Sequence, residues 1–148
     1  LISADNNANC QQISIFLEAN MVAWAEYKFQ AKVRGAMALE LFVVISTPAN
    51  STVHVKEFLT EHLAYQAEME RAGHLACAGP LSDETGTQME GAGLIIYRAD
   101  SLHDAKELAD ADPMHSSGAR TYVLRRWLVN EGSGIQGRTL SDEETTLS

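Results

Sequence analysis

An α+β domain with the element order βαββαβ, its four strands in one antiparallel sheet and an extra helix ahead of it, is what this sequence predicts. Three observations predict it. Four short apolar runs, most of them rich in β-branched residues, are spaced along the chain. The first and second, and the third and fourth, are separated by stretches of helical periodicity, while the second and third are joined by a polar segment containing glycine, as a hairpin is. At 148 residues the chain is long enough for one hydrophobic core and short for two.

Residues 1–12 (LISADNNANCQQ) are polar and read as a mobile end. From Ile13 to about Arg34 the apolar residues Phe16, Leu17, Met21, Val22, Trp24, Phe29 and Val33 recur at spacings near three and four, which predicts a helix with a broad buried stripe. Residues 1–36 are assigned as an N-terminal extension, either a core or subunit-packing helix or a non-native leader, because Met37 would make a natural start for the domain of residues 37–130. Leu39 to Ser46 (LELFVVIS) is the first strand, closed by Pro48. Asn50, Ser51 and Thr52 offer capping groups to a long helix running from Val53 to Ala72, with Gly73 placed to end it. His74 to Leu81 is the second strand, where Gly79-Pro80 predicts a bulge or the strand's end because proline cannot donate to a ladder. Ser82 to Gly91 reads as the hairpin loop and Gly93 to Ala99 as the third strand. Ser101, with Asp104 three residues on, caps a short helix through Ala111 that Pro113 ends. Arg120 to Val129 is the fourth strand, and residues 131–148 are expected to be a flexible acidic tail or an arm onto a neighbour.

This is the ferredoxin-like, split βαβ order, in which two right-handed crossovers put both helices on one face of the sheet. The other face is left open. Strands three and four carry apolar groups on both sides, with Trp127 on one face of the fourth and Leu124 and Leu128 on the other. An apolar open face should be covered, so a homodimer or higher oligomer is predicted.

Composition narrows the function classes. A formal charge of −9 and the lack of a Lys/Arg cluster oppose binding to nucleic acid or an anionic membrane. The hydrophobic share of 45% excludes a largely disordered chain. Cys10 and Cys77 form no CxxC spacing, no run of about 18 apolar residues spans a bilayer, and the first residues lack the order of a secretion signal, so a reducing cytoplasm is the expected setting. His54, His74, His103 and His115 fall into no HxH, HExxH or HxxxH pattern, and Asp112 with His115 names no third ligand, so neither a metal nor a cofactor is predicted. No GxGxxG, GxxxxGK[ST] or GxSxG occurs, which removes the usual evidence for nucleotide binding and serine hydrolysis.

Two residues stand out as carriers of chemistry. On the long helix, Val55, Phe58, Leu59, His62, Leu63, Gln66 and Met69 share one stripe, so His62 is aimed at the sheet and needs a hydrogen-bond partner there. Asp112 precedes Pro113, which pushes it out of helical geometry. It follows the negative end of the short helix, where a carboxylate is unfavourable unless a cation or donor faces it. Each has a bland reading beside the functional one, a satisfied core histidine and an idle carboxylate.

The stretch EHLAYQAEMERAGHLACAGPLSDETG, then GLIIYRADSLHDAKELADADP, then YVLRRW, resembles the YCII-related (YciI-like) family. The resemblance rests on His62, Tyr65, Gly79-Pro80, Ser101, Asp112-Pro113, Gly118 and Trp127 in order, and covers about Leu39 to Val129. It implies a ferredoxin-like fold of the dimeric α/β-barrel superfamily, dimeric or higher, with a His-Asp pair as proposed active site. It further implies relatives that handle small cyclic or aromatic acids and phenols by proton transfer, isomerisation or elimination. The long N-terminal helix and acidic tail depart from the family's common form and bear on the oligomer more than on the pocket.

The expected function is a metal-free isomerase or lyase, dehydrohalogenase-like, acting on a small-molecule ligand. Asp112 accepts from one ring nitrogen of His62 and fixes its tautomer, and the other nitrogen serves as general base or acid. Tyr65 is a candidate oxyanion donor or a packing residue, Gly79 and Pro80 would let substrate approach backbone, and Trp127 would bind substrate. The rival readings are a non-catalytic ligand-binding or interaction module, in which the pair only locks helix to loop, and an assembly subunit led by the N-terminal helix.

Overall fold

The structure is a computed structural model that describes residues 21–49 and 52–133, for residues 52–54 the backbone only. The expectations for residues 1–20, for the Asn50-Ser51 cap and for most of the acidic tail lie outside these. Two compact units divide at Ala38. In the first, α1 (Trp24–Val33) is helical, but Phe29 and Val33 are exposed. The predicted stripe is therefore not buried on this part of the helix.

The second unit has the predicted order: β1 (Leu39–Pro48), α2 (Thr52–Glu57), α3 (Leu59–Arg71), β2 (Leu75–Ser82), β3 (Met89–Tyr97), α4 (Leu102–Ala111), α5 (Pro113–Ser116) and β4 (Arg120–Val129). The strands form one antiparallel sheet in the order β2-β3-β1-β4. This is the ferredoxin-like α+β fold.

Register fixes the two faces. Phe42 lies opposite Tyr97, and Val44 sits between Ile95 and Leu124. These side chains form the core with Ala105 and Ala109 of α4, where two small residues bring the helix backbone close to the sheet. Alternation then sends Val43, Ile45, Val123 and Trp127 to the other face, where Ile45, Val123 and Trp127 are each more than two-fifths exposed. Edge strand β2 tolerates Pro80 and runs on to Ser82, so Gly79-Pro80 does not end it, and the ladder's register shifts between Pro80 and Ser82.

The long helix differs from expectation. It breaks at Phe58, whose backbone (φ −98°, ψ 6°) leaves the helical region and starts α3 afresh. The break resets the buried stripe: Gln66 and Met69 are buried, whereas Leu59 and Leu63 are exposed. At the other end His74 N–H donates to Met69 O and Gly73 N–H to Glu70 O, with Gly73 at φ 81°. This is a Schellman stop, which favours a residue without Cβ. An added Cβ at Gly73 meets nothing within 4 Å, so only backbone strain opposes it. Gly73→Ala is expected to lower the unfolding free energy by about 1 kcal/mol in urea denaturation.

Candidate active site

The site is assembled where α3, the α4–α5 corner and one end of the sheet meet. Pro113 holds Asp112 extended (φ −61°, ψ 125°) and is itself the first residue of α5. Asp112 is therefore the N-cap of a second helix as well as the end of α4: its Oδ1 accepts from Met114 N–H at 2.9 Å. The sequence reading of Pro113 as a stop alone misses this, and with it a favourable dipole that answers the unfavourable one.

His62, in the first turn of α3, lays its Nδ1 against both carboxylate oxygens of Asp112, 2.8 Å from Oδ1 and 2.9 Å from Oδ2. One turn later, Gln66 donates from Nε2 to Oδ2 at 3.1 Å. Asp112 is wholly buried, while the His62 side chain keeps 21% of its exposure. Burial alone would raise the Asp112 carboxyl; the hydrogen bond and charge of His62 and the Met114 N–H outweigh it and hold the pKa below the ordinary aspartate value. An ionised carboxylate only accepts, so Nδ1 of His62 carries a hydrogen, and in the neutral imidazole Nε2 then presents a lone pair. Among the described residues no hydrogen bond to His62 Nε2 is formed.

A second polar cluster adjoins the pair. His115, three residues past Asp112, points Nδ1 at Ala109 O (2.7 Å) and Nε2 at the Oγ of Ser46 (2.8 Å). A carbonyl only accepts, so Nδ1–H donates to it, and Nε2 of the neutral ring accepts a hydrogen bond from the Ser46 hydroxyl. Ser46, itself 3% exposed, accepts in turn from Arg120 Nε at 2.8 Å. The imidazole also packs on Tyr122, with ring centroids 4.7 Å apart. Burial pushes the His115 pKa below its ordinary value, only partly offset by the Ala109 carbonyl and Asp112.

That shift has a sign. The unfolded chain takes up the His115 proton near pH 6.5 and the folded one only at lower pH, so stability falls as pH drops from about 6.5 toward the folded value. Asp112 contributes in a separate window, its stabilisation being lost as pH falls below about 3.8. Urea midpoints measured between pH 7.5 and 5 are expected to decline for the wild type and to decline less for His115→Gln. Equal slopes would remove His115 from the account.

The other sequence-predicted residues make no hydrogen bond to His62 or Asp112. Tyr65 gives its hydroxyl to Leu108 O at 2.7 Å, and its pKa is pushed up to about 12 by burial, with Asp112 adding to the effect. Gly79 pairs with Leu94 and Trp127 with Leu41, so both belong to the face away from the core residues Phe42 and Val44, whereas Pro80, opposite Gly93, is on the helix side. Tyr65 also borders a cavity of about 680 Å³ with Leu39, Gly73, His74, Arg98 and Leu108, which neither His62 nor Asp112 lines. The sequence reading overlooked Ser46, His115 and Arg120 as a group. Ser46 was the one available signal, a polar residue ending an otherwise apolar run on the core side of β1.

The family description YCII-related domain matches residues 41–128. The uncharacterized protein YjpA of Bacillus subtilis (strain 168) is 32% identical over 84 residues, which cover 54% of this chain and 92% of that protein. Among solved structures, 5-chloro-2-hydroxyhydroquinone dehydrochlorinase (TftG) from Burkholderia phenoliruptrix, in complex with 2,5-dihydroxybenzoquinone, is similar with a TM-score of 0.45 and 23% identity, covering 58% of this chain and 92% of that one.

Proposed function

The chain belongs to the YCII-related family, and from that premise we propose that it is a small-molecule enzyme in which His62 transfers a proton and Asp112 orients it. The observation that carries this reading is the asymmetric imidazole: Nδ1 is held by a buried carboxylate at 2.8 Å and Nε2 is left without a partner among the described residues, at a partly exposed edge. Such a nitrogen can accept a proton from carbon next to a carbonyl, or from a phenol, and return it elsewhere on the same molecule. Isomerisation results if the proton is returned, and elimination if a leaving group departs instead. Small cyclic or aromatic acids and phenols are the substrate class. The exposed Ile45, Val123 and Trp127 support a second copy covering that face.

The test is deuterium incorporation. A panel of small cyclic and aromatic acids, lactones and phenols is incubated with the protein in D₂O and followed by proton NMR. Accelerated exchange at one carbon in at least one compound, absent with His62→Ala, is the expected result; exchange that persists in the variant would sink the assignment.

A second reading has its own observation. The Asp112 carboxylate is fully engaged by His62, Gln66 and Met114 N–H, so the pair also ties α3 to α5 and would do so in a purely ligand-binding module.

A further inference from the structure

Arg120 opens β4 half-buried, at the end of the sheet where Ser46 and His115 meet. Three of its five N–H groups are committed: Nε to Ser46 Oγ at 2.8 Å, and Nη2 to Ser46 O at 2.7 Å and to Gly91 O. The two on Nη1 have no acceptor among the described residues. Nor is a carboxylate within salt-bridge distance of this guanidinium among the described residues; Asp112 is paired with His62, Glu107 with His103 and Asp110 with Lys106.

A partly desolvated cation with no counter-ion is costly, and burial does disfavour its charged form, with Asp112 opposing that shift. The surroundings nevertheless fix it in place. Ser46 Oγ donates to His115 and accepts from Arg120, and His115 is pinned in turn by Ala109 O. The entropy of immobilising a long side chain is thus already spent before any ligand arrives. The chain as a whole carries −9, a field that repels anions, so an anionic ligand needs a dedicated local cation.

We propose that Arg120 is the anchor for an anionic oxygen of the substrate, held in place by Ser46 and His115. This deepens, and rests on, the reading of His62 as the reacting base, because His115 and Asp112 belong to the same short helix and its cap. With Nε and Nη2 taken by the protein, the two-nitrogen fork is closed, and the anchor grips one oxygen through Nη1. Carboxylates and phenolates both supply such an oxygen; neutral amides and alcohols supply a weaker one.

The experiment is ligand binding to the full chain, followed by NMR titration at low salt with benzoate, 4-nitrophenolate and the neutral benzamide. At least one anion is expected to bind about tenfold or more tighter than benzamide. Arg120→Gln should bring it down to the benzamide level, and Arg71→Gln, which removes an exposed positive charge on α3, should leave it within about threefold. Which anion binds separates the carboxylate from the phenolate. If Arg120→Gln does not fold, Arg120→Lys, which keeps the charge but cannot reproduce the three anchoring bonds, is expected to weaken binding by an intermediate factor, and added salt should weaken it in the wild type. Benzamide binding as tightly as both anions, or anion affinity unchanged in Arg120→Gln or Arg120→Lys, overturns the anchor. Proton exchange that needs His62 alongside such a result would leave the base standing and remove only the anchor; anion binding that needs Arg120, without any His62-dependent exchange, would do the reverse.

Discussion

His62→Ala is expected to slow proton transfer by about 10²- to 10⁴-fold, the range a positioned general base supplies, and to change the unfolding free energy by only about 1 kcal/mol. The small second effect follows from exposure. The imidazole keeps 21% of its surface, so water can replace Nδ1 as one donor to Asp112 while Gln66 and the Met114 N–H remain in place. Rate and stability are read on the same sample, by exchange of a substrate proton and by urea denaturation. A variant that loses several kcal/mol with its activity would turn the histidine into a structural lock and favour the ligand-binding module.

Asp112→Ala is expected to cost about 3 kcal/mol in unfolding free energy, because it removes a helix cap worth about 1 kcal/mol and strands buried donors at about 1–3 kcal/mol. Three donors converge on this carboxylate from two helices, His62 and Gln66 on α3 and the Met114 N–H on α5. Asp112→Asn keeps an acceptor for the cap but offers an amide N–H where an acceptor is needed, so it should be the milder lesion in stability and still slow catalysis by releasing the His62 tautomer. A loss below about 1 kcal/mol for alanine would contradict the geometry. This expectation corrects the simpler view in which a catalytic carboxylate can be removed without a stability penalty: here one group serves as both cap and orienting acceptor, so histidine, not aspartate, separates the two functional readings.

Much of this was legible in the residues. The strand runs, the Ser101 cap and the Gly73 stop depend on local spacing and backbone preference, and the structure has Ser101 Oγ accepting from Asp104 N–H and Gly73 at positive φ. His62 and Asp112 could be singled out because each is locally out of place, an imidazole among apolar residues and a carboxylate at the negative end of a helix. What spacing could not show was the break at Phe58, since the periodicity runs on across it. It also could not foresee that Pro113 opens a helix of only four residues, too short to leave a periodic trace.

The sequence by itself determined the order of elements and the presence of two titratable groups that needed partners, because each of these follows from side-chain period and backbone chemistry within a few residues. The tertiary structure alone decided that those two groups meet across 50 positions. It likewise brought Arg120 to a serine 74 residues earlier and put Trp127 on the far side of the sheet from the core. Contacts of that range are set by strand register and helix packing, in which a shift of one residue exchanges the two faces of a strand, and no local pattern encodes that choice.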